Sequence, residues 1–266
     1  MPEFKQRVHT VPLTVHFGEE EYIDGVTIDH KTFYEKLIEG DVLPTTSQAT
    51  PDAFMQEFQK AKEVGEAAVV ITLASQFSGT YQSAVIAAEE YENIYVVDSA
   101  SAAMGSGILV ELAFRLLDEG KSAKEIAQTL EEEKKKIVIV ALVDTLEYLK
   151  KGGRVSKTVA FAGTVLNIKP VLSVIDGEIH MLGKARGSKM GNNLLVQEIH
   201  KAGGIDFSKP VLLGYSGISD ALLQKYVEDS RYIWEGNLPQ VRYTTVGSVI
   251  GTHAGPGAVV VAFFKN

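Results

Sequence analysis

The 266-residue chain contains no cysteine. That removes disulfides, thiol nucleophiles and cysteine metal sites together, and it fits a cytosolic protein. Basic residues are not in excess: 26 Lys and Arg stand against 34 Asp and Glu, a formal charge of −8. General nucleic-acid binders carry the opposite balance, so no nucleic-acid partner is expected. No uninterrupted apolar run approaches the ~20 residues that a spanning helix needs. The first ten residues, MPEFKQRVHT, lack the apolar region of a signal peptide. The six histidines show no His-x-x-x-His pair, and no metal site is expected. There is no Gly-x-x-x-x-Gly-Lys phosphate loop and no Gly-x-Ser-x-Gly elbow. The expectation is a soluble, cytoplasmic protein.

Apolar residues make up 45% of the chain, and its length allows one large domain or two medium ones. The first half alternates apolar runs with amphipathic segments. VPLTVHF (11–17), AAVVITLA (67–74), IYVVD (94–98) and IVIVALV (137–143) read as strands. Helices are predicted over 27–40, 51–64, 104–120 and 122–136, with a further helix ending near Ala88. Thr50-Pro51-Asp52 and Ser122 with Glu125 supply start signals. This alternation predicts a parallel sheet with helices on both faces. LKKGGRVSKT (149–158) is a candidate boundary. Beyond it, Asp176-Gly177 splits a hairpin within 171–182, a helix follows over 188–202, and further strands lie at 210–217 and near the C-terminus. The fold class is α/β in two domains, 1–150 with the parallel sheet and 151–266 of α+β type, with a ligand cleft between them.

Three loops concentrate polar side chains. LASQFSGTYQSA (73–84) ends a buried strand in hydroxyls and a glycine. Ser78 or Thr80 can cap the next helix, and the N–H groups from Gly79 onward favour an anion; helix capping alone explains the same residues. Thr45, Thr46, Ser47 and Gln48 admit the same two readings. His253, in THAGPG (252–257), is free to face a cleft as hydrogen-bond donor or base, or simply to sit at the surface. Arg154 and Arg186, each beside glycine, suit phosphate or an acidic partner, or simply bulk solvent. Ser78, Asp98 and His253 follow the chain order of an α/β-hydrolase triad, but without the elbow the match is weak.

Seven segments in order carry a resemblance: VLPTTSQATP, ASQFSGTYQSA, VVDSASAAMGSG, LEYLKKGGRVS, LNIKPVL, GKARGSK and HAGPGA. From about Pro2 to Phe263 the chain resembles the DegV family of bacterial fatty-acid-binding proteins, the B subunits of the fatty acid kinase system. The resemblance implies a non-catalytic carrier with no cofactor. A bound fatty acid would be its ligand, with the carboxylate at the domain interface. It assigns the carboxylate to Thr46, Ser78 and His253, with Ser47, Gln48, Gly79, Thr80, Arg154 and Arg186 in supporting, docking or phosphate-handling places. The implied partners are a long-chain fatty acid and a fatty acid kinase catalytic subunit, with at most a transient contact with a membrane. The alternative function is an acyl hydrolase using Ser78 and His253. Family members open with a strand and an Asp-Ser-x-x-Asp motif, whereas this chain opens MPEFKQRV. About a dozen residues are therefore expected to be missing, through an internal start or a natural truncation, and the first sheet is expected to lack a strand.

Overall fold

A computed structural model describes residues 7–155 and 167–266. Residues 156–158 of the candidate boundary lie outside that range. The first element is a small antiparallel sheet in the order β2-β1-β3, from β1 (Thr14–Phe17), β2 (Glu20–Ile23) and β3 (Thr45–Ser47). Gly18, at φ 62°, turns the β1–β2 hairpin. Helix α1 (His30–Glu39) packs Phe33, Tyr34 and Leu37 beneath this sheet. It starts at Asp29, whose side chain accepts from the Thr32 N–H at 2.7 Å. The loop predicted over 42–51 thus contains a strand, β3. Three polar residues carry no period-2 signal, and pairing with β1 alone makes them a strand.

Next come α2 (Pro51–Glu63), β4 (Ala68–Thr72), α3 (Thr80–Ala88), β5 (Ile94–Asp98), α4 (Met104–Asp118) and α5 (Ala123–Glu133). β4 and β5 pair in parallel. Their side chains alternate: Ala68, Val70, Ile94 and Val96 meet α2 and α3, while Val69, Ile71, Tyr95 and Val97 meet α4 and α5. A continuous apolar run is what such double burial requires. Thr50 caps α2, and Ser122 and Glu125 form a capping box on α5, as their sequences predict.

β6 (Ile137–Leu142) departs from the expected parallel sheet. It lies between β7 (Ile168–Ile175) and β11 (Val259–Phe264), antiparallel to both. An apolar run shows that both faces are buried and says nothing about the direction of the neighbours. β6 precedes position 150 in the chain but lies within the sheet built by later strands. That sheet has six strands in the order β10-β9-β11-β6-β7-β8, completed by β8 (Glu178–Arg186), β9 (Leu212–Tyr215) and β10 (Tyr243–Thr245). Asp176 and Gly177, at φ 51° and 78°, form the predicted β7–β8 turn. Among the described residues there follow helices α6 (Glu147–Lys151), α7 (Gly187–Lys201), α8 (Ala221–Asp229), α9 (Arg231–Trp234) and α10 (Ser248–Ala254).

The two faces of β6 bury different things. Val138, Val140 and Leu142 face a core that includes α7 and α8. Ile139, Ala141 and Val143 line a cavity on the other face. The chain is therefore α/β, with a helix-flanked parallel pair joined to a larger mixed sheet.

Candidate functional site

The cavity has a volume of about 420 Å³. Its floor is the six-stranded sheet, through Ala141, Leu172 and Val260, and Ala103 and Ile250 also line it. These are small or aliphatic side chains with no hydrogen-bonding groups. The lining turns polar where Thr46, Ser47, Gln48, Ser78, Arg154 and His253 gather, and Ser173 of β7 is a further polar lining residue among those described. Apolar walls with a few convergent polar groups are the usual form of a small-molecule site.

Thr46 is the middle residue of β3 and pairs with Val15. Alternation along the strand turns it away from its exposed neighbours Thr45 and Ser47. Its Oγ1 lies 3.1 Å from Nε2 of His253. Ser47 is occupied elsewhere, with its Oγ 2.9 Å from Nε2 of His16. Gln48 donates from Nε2 to Ser83 Oγ at 3.0 Å, and its amide lies so close to Gly79 that a side chain there would overlap it.

Ser78 ends the loop after β4. The Asp98 carboxylate braces that loop by accepting from the Ser75 N–H, and it also accepts from the Ala100 N–H. Ser78 Oγ lies 2.9 Å from Thr80 Oγ1 and accepts from the Thr80 N–H at 3.3 Å. Ser78 therefore meets the first N–H of α3 and lines the cavity. Thr80 is buried at the helix start, and Gly79 occupies the N-cap position.

The Gly/Pro-rich sequence predicts a loop at His253, but the residue lies in the last turn of α10. The segment SVIGTH has no capping residue of its own, so local sequence does not reveal the helix. Burial, then the nearby Arg154 charge, pushes the imidazole pKa down to about 4, so it is neutral near pH 7. Its Nδ1 is buried without a hydrogen-bond partner. The exposed Arg154 donates from Nε to Phe77 O at 3.2 Å and from Nη1 to Gly152 O at 2.8 Å. It thereby ties the Ser78 loop to the end of α6. Arg186 is not among the lining residues; it stands exposed at the N-cap of α7.

Nothing in the sequence marks the apolar walls, because Ala103, Ala141 and Val260 look like any core residues. Nor does the sequence mark Asp24, whose carboxylate accepts from the N–H groups of Ser248 and Val249 at the start of α10. Among the described residues, no cluster of acidic or histidine side chains could hold a metal ion, and no helix is long and apolar enough to cross a membrane.

A family model for the DegV family matches residues 3–266. A DegV domain-containing protein of Caldanaerobacter subterraneus is 37% identical over 260 residues, covering 96% of this chain and 91% of its own. A fatty-acid-binding DegV family protein of Thermus thermophilus superposes with a TM-score of 0.87 at 30% identity, covering 99% of this chain and 95% of its own. A stearic-acid-binding protein of Eubacterium ventriosum superposes with a TM-score of 0.84 at 28% identity, covering 98% and 92%. A match along nearly the whole sequence, with the same architecture in solved relatives, places this chain in the DegV family.

Proposed function

We propose that this protein binds a long-chain fatty acid, tail in the apolar cavity and carboxylate at its polar cluster, and presents the acid to a separate fatty acid kinase. The observation that carries this reading is the Thr46–His253 pair, 3.1 Å apart, in a polar cluster of a largely apolar cavity that Ser78 also lines. Relatives of the same fold bind fatty acids, which supports the same ligand class here.

The energetics fit. Burying roughly 15 methylene groups yields about 12 kcal/mol at ~0.8 kcal/mol each. Association costs of ~4–15 kcal/mol offset much of it, so affinity depends on a well-formed cavity. The head group needs hydrogen bonds, because an unpaired buried carboxylate would protonate or remain in water. A neutral His253 with its proton on Nε2 donates to Thr46 Oγ1. The Thr46 hydroxyl then donates onward to the carboxylate, and Ser78 offers a second hydroxyl. Neither contact is a tight ion pair, so a carboxylate oxygen stays available for phosphorylation by the partner. Arg154, in the same cluster, supplies positive charge for the acid or its acyl phosphate.

The hydrolase alternative has weaker support. Ser78 Oγ is engaged with Thr80, and Nε2 of His253 with Thr46. Nδ1 has no carboxylate to orient it, and Asp98 is spent on backbone N–H groups.

Lipid extraction from gently purified protein, followed by mass spectrometry, tests the ligand. Stoichiometric fatty acid, or uptake of added acid, is expected; neither appearing would end the carrier reading. With a fatty acid kinase present, Ser78→Ala and His253→Ala should each lower acyl-phosphate formation more than they lower stability. Unchanged formation would reject the assigned roles.

A further inference from the structure

Helix α10, which presents His253, has little support of its own. It is seven residues long, too short to persist in isolation. Its N-cap residue is Gly247, which has no side chain to meet the first-turn N–H groups. Asp24, directly after β2, meets them from 224 positions away. Oδ1 accepts from the Ser248 N–H at 3.0 Å and Oδ2 from the Val249 N–H at 3.1 Å. Both oxygens of one carboxylate thus serve the positive end of a single helix. Asp24 is itself fixed, since its N–H donates to Leu13 O at 3.0 Å and it bridges to Ile28. The approach is close: a methyl group on Gly247 would come within 3.2 Å of Asp24 Oδ2.

The other end of α10 meets the same small sheet. His253 faces Thr46 of β3, and β3 and β2 flank β1 on either side. One three-stranded sheet therefore grips a two-turn helix at both ends, through Asp24 and through Thr46. We propose that Asp24 is a positioning residue for the ligand head group: by capping α10 from the small sheet, it sets His253 against Thr46. The ligand it serves is the one assigned above, but its effect on His253 exists without ligand.

The test uses the full chain with Asp24→Ala and Asp24→Asn, and Glu111→Gln as the comparison. Glu111 is buried against Arg115 and Arg242, outside the cavity lining, so its loss lowers stability without touching α10. The readouts are the ligand-free His253 titration by NMR, palmitate affinity and the melting temperature. In Asp24→Ala the His253 midpoint should rise by at least one pH unit, because a loosened helix admits water. Palmitate affinity should fall at least tenfold. Asp24→Asn keeps one acceptor oxygen and should fall between; if Asp24→Ala does not fold, this variant carries the test. Glu111→Gln should lower the melting temperature and move neither other readout. An unchanged His253 midpoint in the Asp24 variants, or an equal shift in Glu111→Gln, would overturn the proposal. A shifted midpoint in a protein whose wild type takes up no palmitate would uphold the positioning role and reject the fatty-acid reading.

Discussion

The imidazole of His253 occupies the space that a side chain at position 152 would fill: a methyl group built on Gly152 overlaps Nδ1. Gly152 has an ordinary right-handed conformation, φ −72° and ψ −10°, open to any residue. Its glycine therefore answers to the neighbouring ring and not to the backbone. Gly152→Ala should displace His253 from Thr46 and weaken fatty-acid affinity at least tenfold, although the backbone conformation alone would admit alanine. Gly153→Ala is the counterpart. Gly153 sits at φ 68° with open space around it, so alanine there should cost ~1–2 kcal/mol of stability and leave affinity unchanged. Calorimetric binding and urea titrations on both variants check the pair.

Stability should depend on pH through the same ring. The folded pKa of His253 is lowered to about 4, against an ordinary value near 6.5. Between those values the unfolded chain binds a proton that the folded one refuses, so stability rises with pH across that window. The contribution is complete above the unfolded value and is lost as pH falls toward 4. For one proton the slope is at most about 1.4 kcal/mol per pH unit. His253→Gln should flatten the curve between pH 4 and 6.5 by up to that slope, measured by urea unfolding at each pH. An identical pH profile in the variant would contradict the burial assigned to this histidine.

Ala103 carries backbone strain in the cavity wall. It has φ 49° and ψ −118°, and the Gly105 N–H donates across it to Ala102 O at 3.0 Å. That is the first central position of a type II′ turn, where glycine is the comfortable residue. Such strain costs on the order of 1–3 kcal/mol. Ala103→Gly should relieve it and still gain ~1 kcal/mol after the added freedom of the unfolded chain is counted. Chemical denaturation reads the difference; a less stable glycine variant would mean that the wall methyl contributes more than the turn costs.

Local chemistry in the sequence goes far toward the elements and only partway to the site. Ser122 with Glu125, Thr50 with Pro51, and Asp176 with Gly177 carry start and turn signals that act within a few residues, and each appears where predicted. The polar cluster was also legible, because hydroxyls after a buried strand are unusual enough to notice. Three features were not. The antiparallel neighbours of β6 depend on residues far along the chain. Helix α10 is capped by Asp24, which no local pattern links to Ser248. Ala141 and Val260 line a cavity because of what fails to fill the space beside them, and a hydropathy pattern records only what is apolar.

Ala141 permits a test in which stability and binding move in opposite directions. It stands on the cavity face of β6, between Ile139 and Val143 and paired with Val260 of β11. Ala141→Leu adds three carbons to space that the tail is proposed to occupy. In the ligand-free protein those carbons fill a void, and cavity filling commonly adds ~0.5–2 kcal/mol. In the complex they displace about three tail methylenes, at ~0.8 kcal/mol each, so a C18 acid should lose about 50-fold in affinity. An acid short enough to stop before residue 141 should bind as before. Thermal melts without ligand and competition binding across chain lengths separate the two effects. A uniform loss at every chain length would mean that the leucine disturbs the fold or the head-group end, and that the tail does not run along β6.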